Sequence, residues 1–193
     1  MNLALIGYRS SGKTTVSKIL QNLLKRKRIE IDREIENAYL LNIEQIIDKY
    51  GWQAFRRSEK NLIERFSRKN DHILDLGGGA VLHHQSMLHL KHNALVIFLN
   101  CPSKILINRL KNSFKRPALT DLSLKEEVEK ILEERMPYYY SYADVVIHSE
   151  YNSPLQCARI ICSELNRREE LLSFIETLPQ GSLAKSYAYA GGV

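Results

Sequence analysis

The stretch Gly7-Tyr8-Arg9-Ser10-Ser11-Gly12-Lys13-Thr14-Thr15 fits the pattern G-x-x-x-x-G-K-[ST], and no other feature of the chain constrains its surroundings as strongly. That pattern needs a strand before it and a helix after it. Leu3-Ala4-Leu5-Ile6 is a short apolar run, and Val16, Ile19, Leu20, Leu23 and Leu24 recur at helical spacing, so both are present in the right order. The two glycines let the backbone turn tightly, which points successive N–H groups inward at phosphate oxygens, and the following helix adds the positive end of its dipole. Lys13 supplies a point charge at the β- and γ-phosphates, and the Thr14 hydroxyl is a ligand for Mg²⁺. Ser10, Ser11, Gly12, Lys13, Thr14 and Thr15 are the expected phosphate site. A Gly/Ser turn without a ligand is the alternative.

A chain of 193 residues is about one domain. Its 44% hydrophobic and 26% charged residues belong to an ordinary globular protein rather than a disordered one. No apolar run approaches the roughly 18 residues of a membrane span, and Met1 leads straight into the first strand without room for a signal peptide, so the expected location is the cytoplasm. Cys101, Cys157 and Cys162 form neither a C-x-x-C pair nor a zinc spacing, and reduced, partly buried thiols are the expected state. A net charge of +6 suits anionic ligands, nucleic acid among them, so its placement decides its meaning. Lys25-Arg26-Lys27-Arg28 reads as the solvated end of the first helix, where cations meet the negative dipole end. A second basic region runs over residues 104–116.

Further along, apolar runs alternate with helical patterns, which implies a parallel sheet covered by helices. Strands are expected at residues 3–6, 29–31, 73–76, 94–99 and 145–147. The helical patterns after the first cover residues 34–41, 43–50, 52–68, 103–111, 124–140 and 154–175, with Gly51 as a stop between two of them. In such a sheet ligands bind outside the carboxyl ends of the strands. Strand one delivers the phosphate loop, strand two Asp32, and strand three Asp75 with Gly77-Gly78-Gly79, so three elements distant in sequence converge on one crevice.

GYRSSGKTT, Ile31-Asp32 followed by Ile35-Glu36, Phe55-Arg56-Arg57-Ser58-Glu59, Gly77-Gly78-Gly79-Ala80-Val81, Arg116-Pro117 and Arg135-Met136-Pro137-Tyr138 follow one another in this chain. In that order and at similar spacing they resemble the shikimate kinase family, over roughly residues 2–163. The resemblance implies a three-layer α/β/α P-loop fold of the nucleoside-monophosphate-kinase type, with a five-stranded parallel sheet and a mobile lid. It also implies transfer of the ATP γ-phosphoryl group to the 3-hydroxyl of shikimate, with Mg²⁺ as cofactor. The expected partners are ATP and shikimate acting on a monomer, with no nucleic acid or membrane.

Individual residues agree with a small anionic alcohol as acceptor. Arg56 and Arg135 are candidates for clamping a carboxylate, because a guanidinium fork matches two carboxylate oxygens, with surface salt bridges as the alternative. Glu59 lies three residues on from Arg56, on the same helix face, and is placed to hold it. Asp32 is suited to accept a hydrogen bond from the attacking hydroxyl and orient it, with helix N-cap as the competing role. Asp75 ends an apolar strand as a metal-site carboxylate would, and Gly77, Gly78 and Gly79 let backbone approach a bound ring. Residues 111–122 read as a polar loop able to close over the phosphates, with Arg116 supplying charge to the transferring group. By resemblance, Arg109 and Pro154 flank the adenine.

The chain departs from the family pattern at two places. Ser10 stands where the family usually has glycine, and Glu30 replaces the first aspartate of the usual D-x-D. Tyr138-Tyr139-Tyr140 with Tyr142 reads as core and hinge packing. The kinase domain is expected over residues 1–165, followed by a helical extension and frayed tail over 166–193. Two other readings compete with a shikimate kinase: a kinase for another hydroxy acid such as gluconate, and a catalytically silent nucleotide-binding module. A GTPase switch would need an N-K-x-D motif, which the sequence lacks.

Overall fold

The computed structural model describes residues 1–111, 120 and 122–177. Five strands, β1 (Asn2–Ile6), β2 (Lys27–Glu30), β3 (His72–Asp75), β4 (Ala94–Asn100) and β5 (Val145–His148), form one sheet in the order β2-β3-β1-β4-β5. Every pairing is parallel. The helices between them are α1 (Lys13–Leu24), α2 (Ile31–Tyr39), α3 (Ile43–Ser67), α4 (His84–His92), α5 (Ser103–Lys111), α6 (Leu124–Tyr142) and α7 (Pro154–Thr177), with a 3₁₀ turn at Ala80–Leu82.

The side-chain alternation of the strands builds the three layers. Leu3, Leu5, Ile73, Leu95, Ile97 and Ile147 bury one face of the sheet with Val16 and Leu20 of α1 and Cys157, Ala158 and Ile161 of α7. Ala4, Ile6, Leu74, Val96 and Phe98 bury the other with Phe55 and Ile63 of α3, Met87 and Leu90 of α4 and Tyr139 of α6. The neighbours of β1 were reached in opposite directions along the sheet, β3 on one side and β4 on the other. Its carboxyl end is therefore the switch point where such folds bind ligands.

Four local readings of the sequence are corrected. Ile31 opens α2 instead of ending β2, so the N-cap position belongs to Glu30, whose side chain makes no capping bond. Asp32 sits inside the first helical turn and is not the cap. The basic quartet is not one solvated helix end: Lys25 caps α1 in the left-handed conformation, while Lys27 and Arg28 belong to β2. Arg26 pairs with Glu169 at 2.8 Å, and Arg28 with Glu30 at 2.9 Å. The two patterns on either side of Gly51 join as α3, which is kinked where Gly51 takes φ 78°. The 3₁₀ turn and α4 had no counterpart in the sequence reading.

Two caps fix where the site-bearing helices begin. Asn42 and Gln45 bond reciprocally at the start of α3, and Ser123 and Glu126 do the same for α6. Arg56 and Arg135 are thereby set on defined helix faces. Arg116 and most of the 111–122 segment lie outside the described residues, as does the expected tail beyond 177. All three cysteines are free, with Cys101 and Cys157 buried.

Candidate active site

The phosphate loop joins β1 to α1 directly over the end of β4. A Cβ on Gly7, whose φ is 141°, would meet the Leu99 carbonyl oxygen at 2.7 Å, so only glycine allows this approach. Ser10 adopts φ 64°, a left-handed backbone conformation that glycine takes more readily than serine. The Ser10 carbonyl accepts a hydrogen bond from Arg109 Nη1 at 3.0 Å. Lys13 folds back, its Nζ donating to the carbonyls of Gly7 at 2.8 Å and Tyr8 at 2.9 Å. Residues 10–15, Arg109, Asp75 and Pro154 line one cavity of about 390 Å³, together with Asp32 and Glu30.

A second cavity, of about 60 Å³, opens beside it. Arg56, Arg135, Gly77, Gly78, Gly79 and Asp32 all line it. Arg56 Nη1 donates to Glu59 Oε2 at 2.6 Å, and its guanidinium lies over the ring of Trp52, 5.3 Å from the centroid. The cation–π contact and the ion pair together hold the guanidinium in place at the cavity wall. Arg135 Nη1 donates to the Gly78 carbonyl at 3.0 Å, which also accepts from the Tyr139 hydroxyl at 2.6 Å. Burial pushes the Tyr139 phenol far above its ordinary range, so it stays a donor. Asp32 and Arg9 line both cavities. A small molecule in one therefore meets a molecule in the other across these two side chains.

Asp75 is buried, and that burial pushes its carboxyl up, against the opposing pull of the Lys13 charge and hydrogen bonds from Thr14 and Ser17. Ser17 Oγ lies 3.1 Å from Asp75 Oδ2. Arg28 Nη1 stands 2.9 Å from Glu30 Oε2 and 3.5 Å from Asp75 Oδ2, so these carboxylates share a cation of the chain itself. The donors here, the Thr14 hydroxyl and the carboxylates of Asp75 and Glu30, are all hard oxygens. They fit Mg²⁺, which is held by one or two carboxylates plus substrate phosphates and keeps several waters, without an all-protein cage.

Among the lining residues that the sequence did not point to as site residues are Arg9, Trp52 and Ile43. Arg9, within the phosphate loop, forms a buried ion pair with Glu127 of α6, tying the loop to the helix that carries Arg135. Trp52 lies one helical turn before Arg56, a spacing that could have exposed the stack. Ile43 supplies an apolar wall.

The glycine triplet is packed against the site's own charges. A Cβ on Gly79 would collide with the Arg56 guanidinium, and one on Gly77 with Glu59 Oε1, with Asp32 Oδ1 3.0 Å away. Gly79→Ala is therefore expected to push Arg56 aside, raising the acceptor KM about tenfold while leaving the ATP KM and the melting temperature near wild type. Steady-state kinetics beside a thermal melt check this, and an acceptor KM unchanged from wild type contradicts it.

Comparison with known proteins agrees with this geometry. The shikimate kinase family model matches residues 9–166. A shikimate kinase of Thermodesulfovibrio yellowstonii is 32% identical over 166 residues, covering 86% of this chain and 95% of that protein. A shikimate kinase 2 of Escherichia fergusonii is 33% identical over 152 residues, covering 77% and 83% respectively. The solved structure of a shikimate kinase from Acinetobacter baumannii in complex with shikimate superposes with a TM-score of 0.81 at 27% identity, covering 86% of this chain and 93% of that one. A gluconokinase of Sinorhizobium meliloti, at 14% identity and a TM-score of 0.56, shares the fold alone. With its phosphate loop, arginine pair and glycine triplet arranged around two adjoining cavities, and with these relatives spanning most of its length, the chain belongs to the shikimate kinase family.

Proposed function

We propose that this protein transfers the γ-phosphoryl group of ATP to the 3-hydroxyl of shikimate, acting with Mg²⁺ as a cytoplasmic monomer whose kinase domain covers residues 1–165. One observation carries the reading: Asp32 lines both the phosphate-loop cavity and the cavity walled by Arg56 and Arg135. ATP phosphates rest on the N–H groups of residues 10–15 and on Lys13, with Arg109 and Pro154 beside the base. Arg56 and Arg135 clamp the acceptor carboxylate while backbone at Gly77, Gly78 and Gly79 accommodates the ring. Asp32 accepts a hydrogen bond from the attacking hydroxyl, aligns its oxygen with the phosphorus, and takes its proton late. Phosphoryl transfer has a loose transition state, so alignment outweighs nucleophile activation. Thr14 and Asp75 would hold Mg²⁺, which when bound neutralises phosphate charge. Arg116, outside the described residues, is assigned the charge that meets the transferring group.

Asp32→Asn keeps the shape but weakens the acceptor character of the side chain, and kcat is expected to fall about a hundredfold with ATP affinity retained. A kcat within a fewfold of wild type, at unchanged acceptor affinity, rules out the orienting role. The reaction itself is tested by ADP release measured with shikimate, with gluconate and with no acceptor. Release that depends on shikimate supports the proposal. Release with gluconate instead points to another hydroxy-acid kinase, and ATP binding without release under any condition points to a silent module.

A further inference from the structure

Glu59 is completely buried in the lining of the acceptor cavity, and its two carboxylate oxygens have different surroundings. Oε2 accepts from Arg56 Nη1 at 2.6 Å and lies 3.0 Å from His83 Nε2. Oε1 has no hydrogen-bond partner among the described residues and abuts Gly77. Burial pushes the Glu59 carboxyl up, but the hydrogen bond from His83 and the charge and hydrogen bond of Arg56 outweigh it, holding the group below its ordinary range. An ionised carboxylate only accepts, so His83 Nε2 must carry the proton in this contact.

The two donors come from different parts of the chain. Arg56 shares α3 with Glu59, one turn away, whereas His83 stands between the 3₁₀ turn and α4, just after the glycine triplet. With Arg56 alone, the carboxylate could rotate about its last torsion, exchange its oxygens and carry the guanidinium with it, since that torsion is broad. A second donor from another element removes this freedom. His83 does not itself line the cavity, so any influence it has on a ligand passes through Glu59. We infer that His83 is a positioning residue of the acceptor site: by fixing Glu59 from outside, it sets the direction in which Arg56 presents its fork to an acidic acceptor. The inference rests on the proposed reading of that cavity as the shikimate site.

Shikimate and ATP affinities, measured by calorimetry on the full-length chain, test it. His83→Leu removes the donor, and His83→Asn keeps a polar group too short to reach Glu59. His83→Gln places an amide N–H near the position of Nε2. The leucine and asparagine variants are expected to bind shikimate about tenfold more weakly than wild type, with ATP affinity unchanged and the glutamine variant restored to within about twofold. Unchanged shikimate affinity in the leucine and asparagine variants overturns the inference, as do equal losses for both ligands or a glutamine variant that fails to restore binding. Failure of all three variants to fold does so too, since His83 would then serve the fold and not the site. If one of the first two variants does not fold, the other decides. A wild type that binds shikimate but transfers nothing to it counts against the proposed reaction alone, and a wild type that binds no shikimate overturns both.

Discussion

Lys13→Met is expected to lower kcat by about two to three orders of magnitude, the loss typical when one preorganised charge aimed at a developing anion is removed. Lys13 is nearly buried, 7% exposed, and its ammonium is held by the carbonyls of Gly7 and Tyr8 at 2.8 and 2.9 Å. Those carbonyls keep it at the mouth of the loop, where phosphate oxygens would replace them as partners. In that low-dielectric position its charge is worth far more than in water. Methionine preserves the length of the stem while deleting the charge, so packing against the loop is retained and the loss falls on the chemistry. Rates of ADP release at saturating ATP and shikimate, beside a thermal melt, measure it. A folded variant with kcat within tenfold of wild type would remove Lys13 from the transfer step.

Arg56→Ala should weaken shikimate binding by about 2 kcal/mol or more, roughly thirtyfold, while ATP binding changes little. Two contributions add. The variant loses the guanidinium fork that lines the proposed acceptor cavity, and it strips Glu59, fully buried, of its closest cation. His83, 3.0 Å away, is then the remaining side-chain donor to that carboxylate among the described residues. The Trp52 ring also loses the cation stacked on it. Because Arg56 lines the acceptor cavity and not the phosphate-loop cavity, the effect should divide cleanly between the ligands. Calorimetric titration with each ligand separately decides the matter, and equal losses for both would mean that Arg56 supports the fold instead of the acceptor.

How much of this was legible in the sequence follows from how local each interaction is. The phosphate loop was readable because backbone turning at Gly7 and Gly12, with a lysine next to the second, demands fixed residue types at fixed spacing. The Arg56–Glu59 pair was readable because it is one helical turn long. Arg9 and Glu127 are 118 residues apart, and nothing in either neighbourhood announces the other. Arg28 was misread because β2 buries only Ile29, so its charges resembled a helix end. Helix α4 was missed for a similar reason: Ser86, Met87 and Leu90 are its buried residues, too few to print an apolar stripe on a histidine-rich segment. The glycine triplet was readable as a close approach, but the atoms it accommodates, Arg56 and Glu59, emerge only from the packing of α3 against the end of β3.

In the proposed reaction the two cavities act together, with phosphorus passing from the nucleotide side to a hydroxyl held on the other. Phosphorus NMR of the protein incubated with ATP, Mg²⁺ and shikimate follows that atom directly. The expected spectrum gains a phosphomonoester resonance coupled to the proton at carbon 3 of shikimate as the ATP signals give way to those of ADP. A spectrum in which ATP persists, or decays to ADP and inorganic phosphate without any new ester, would contradict it.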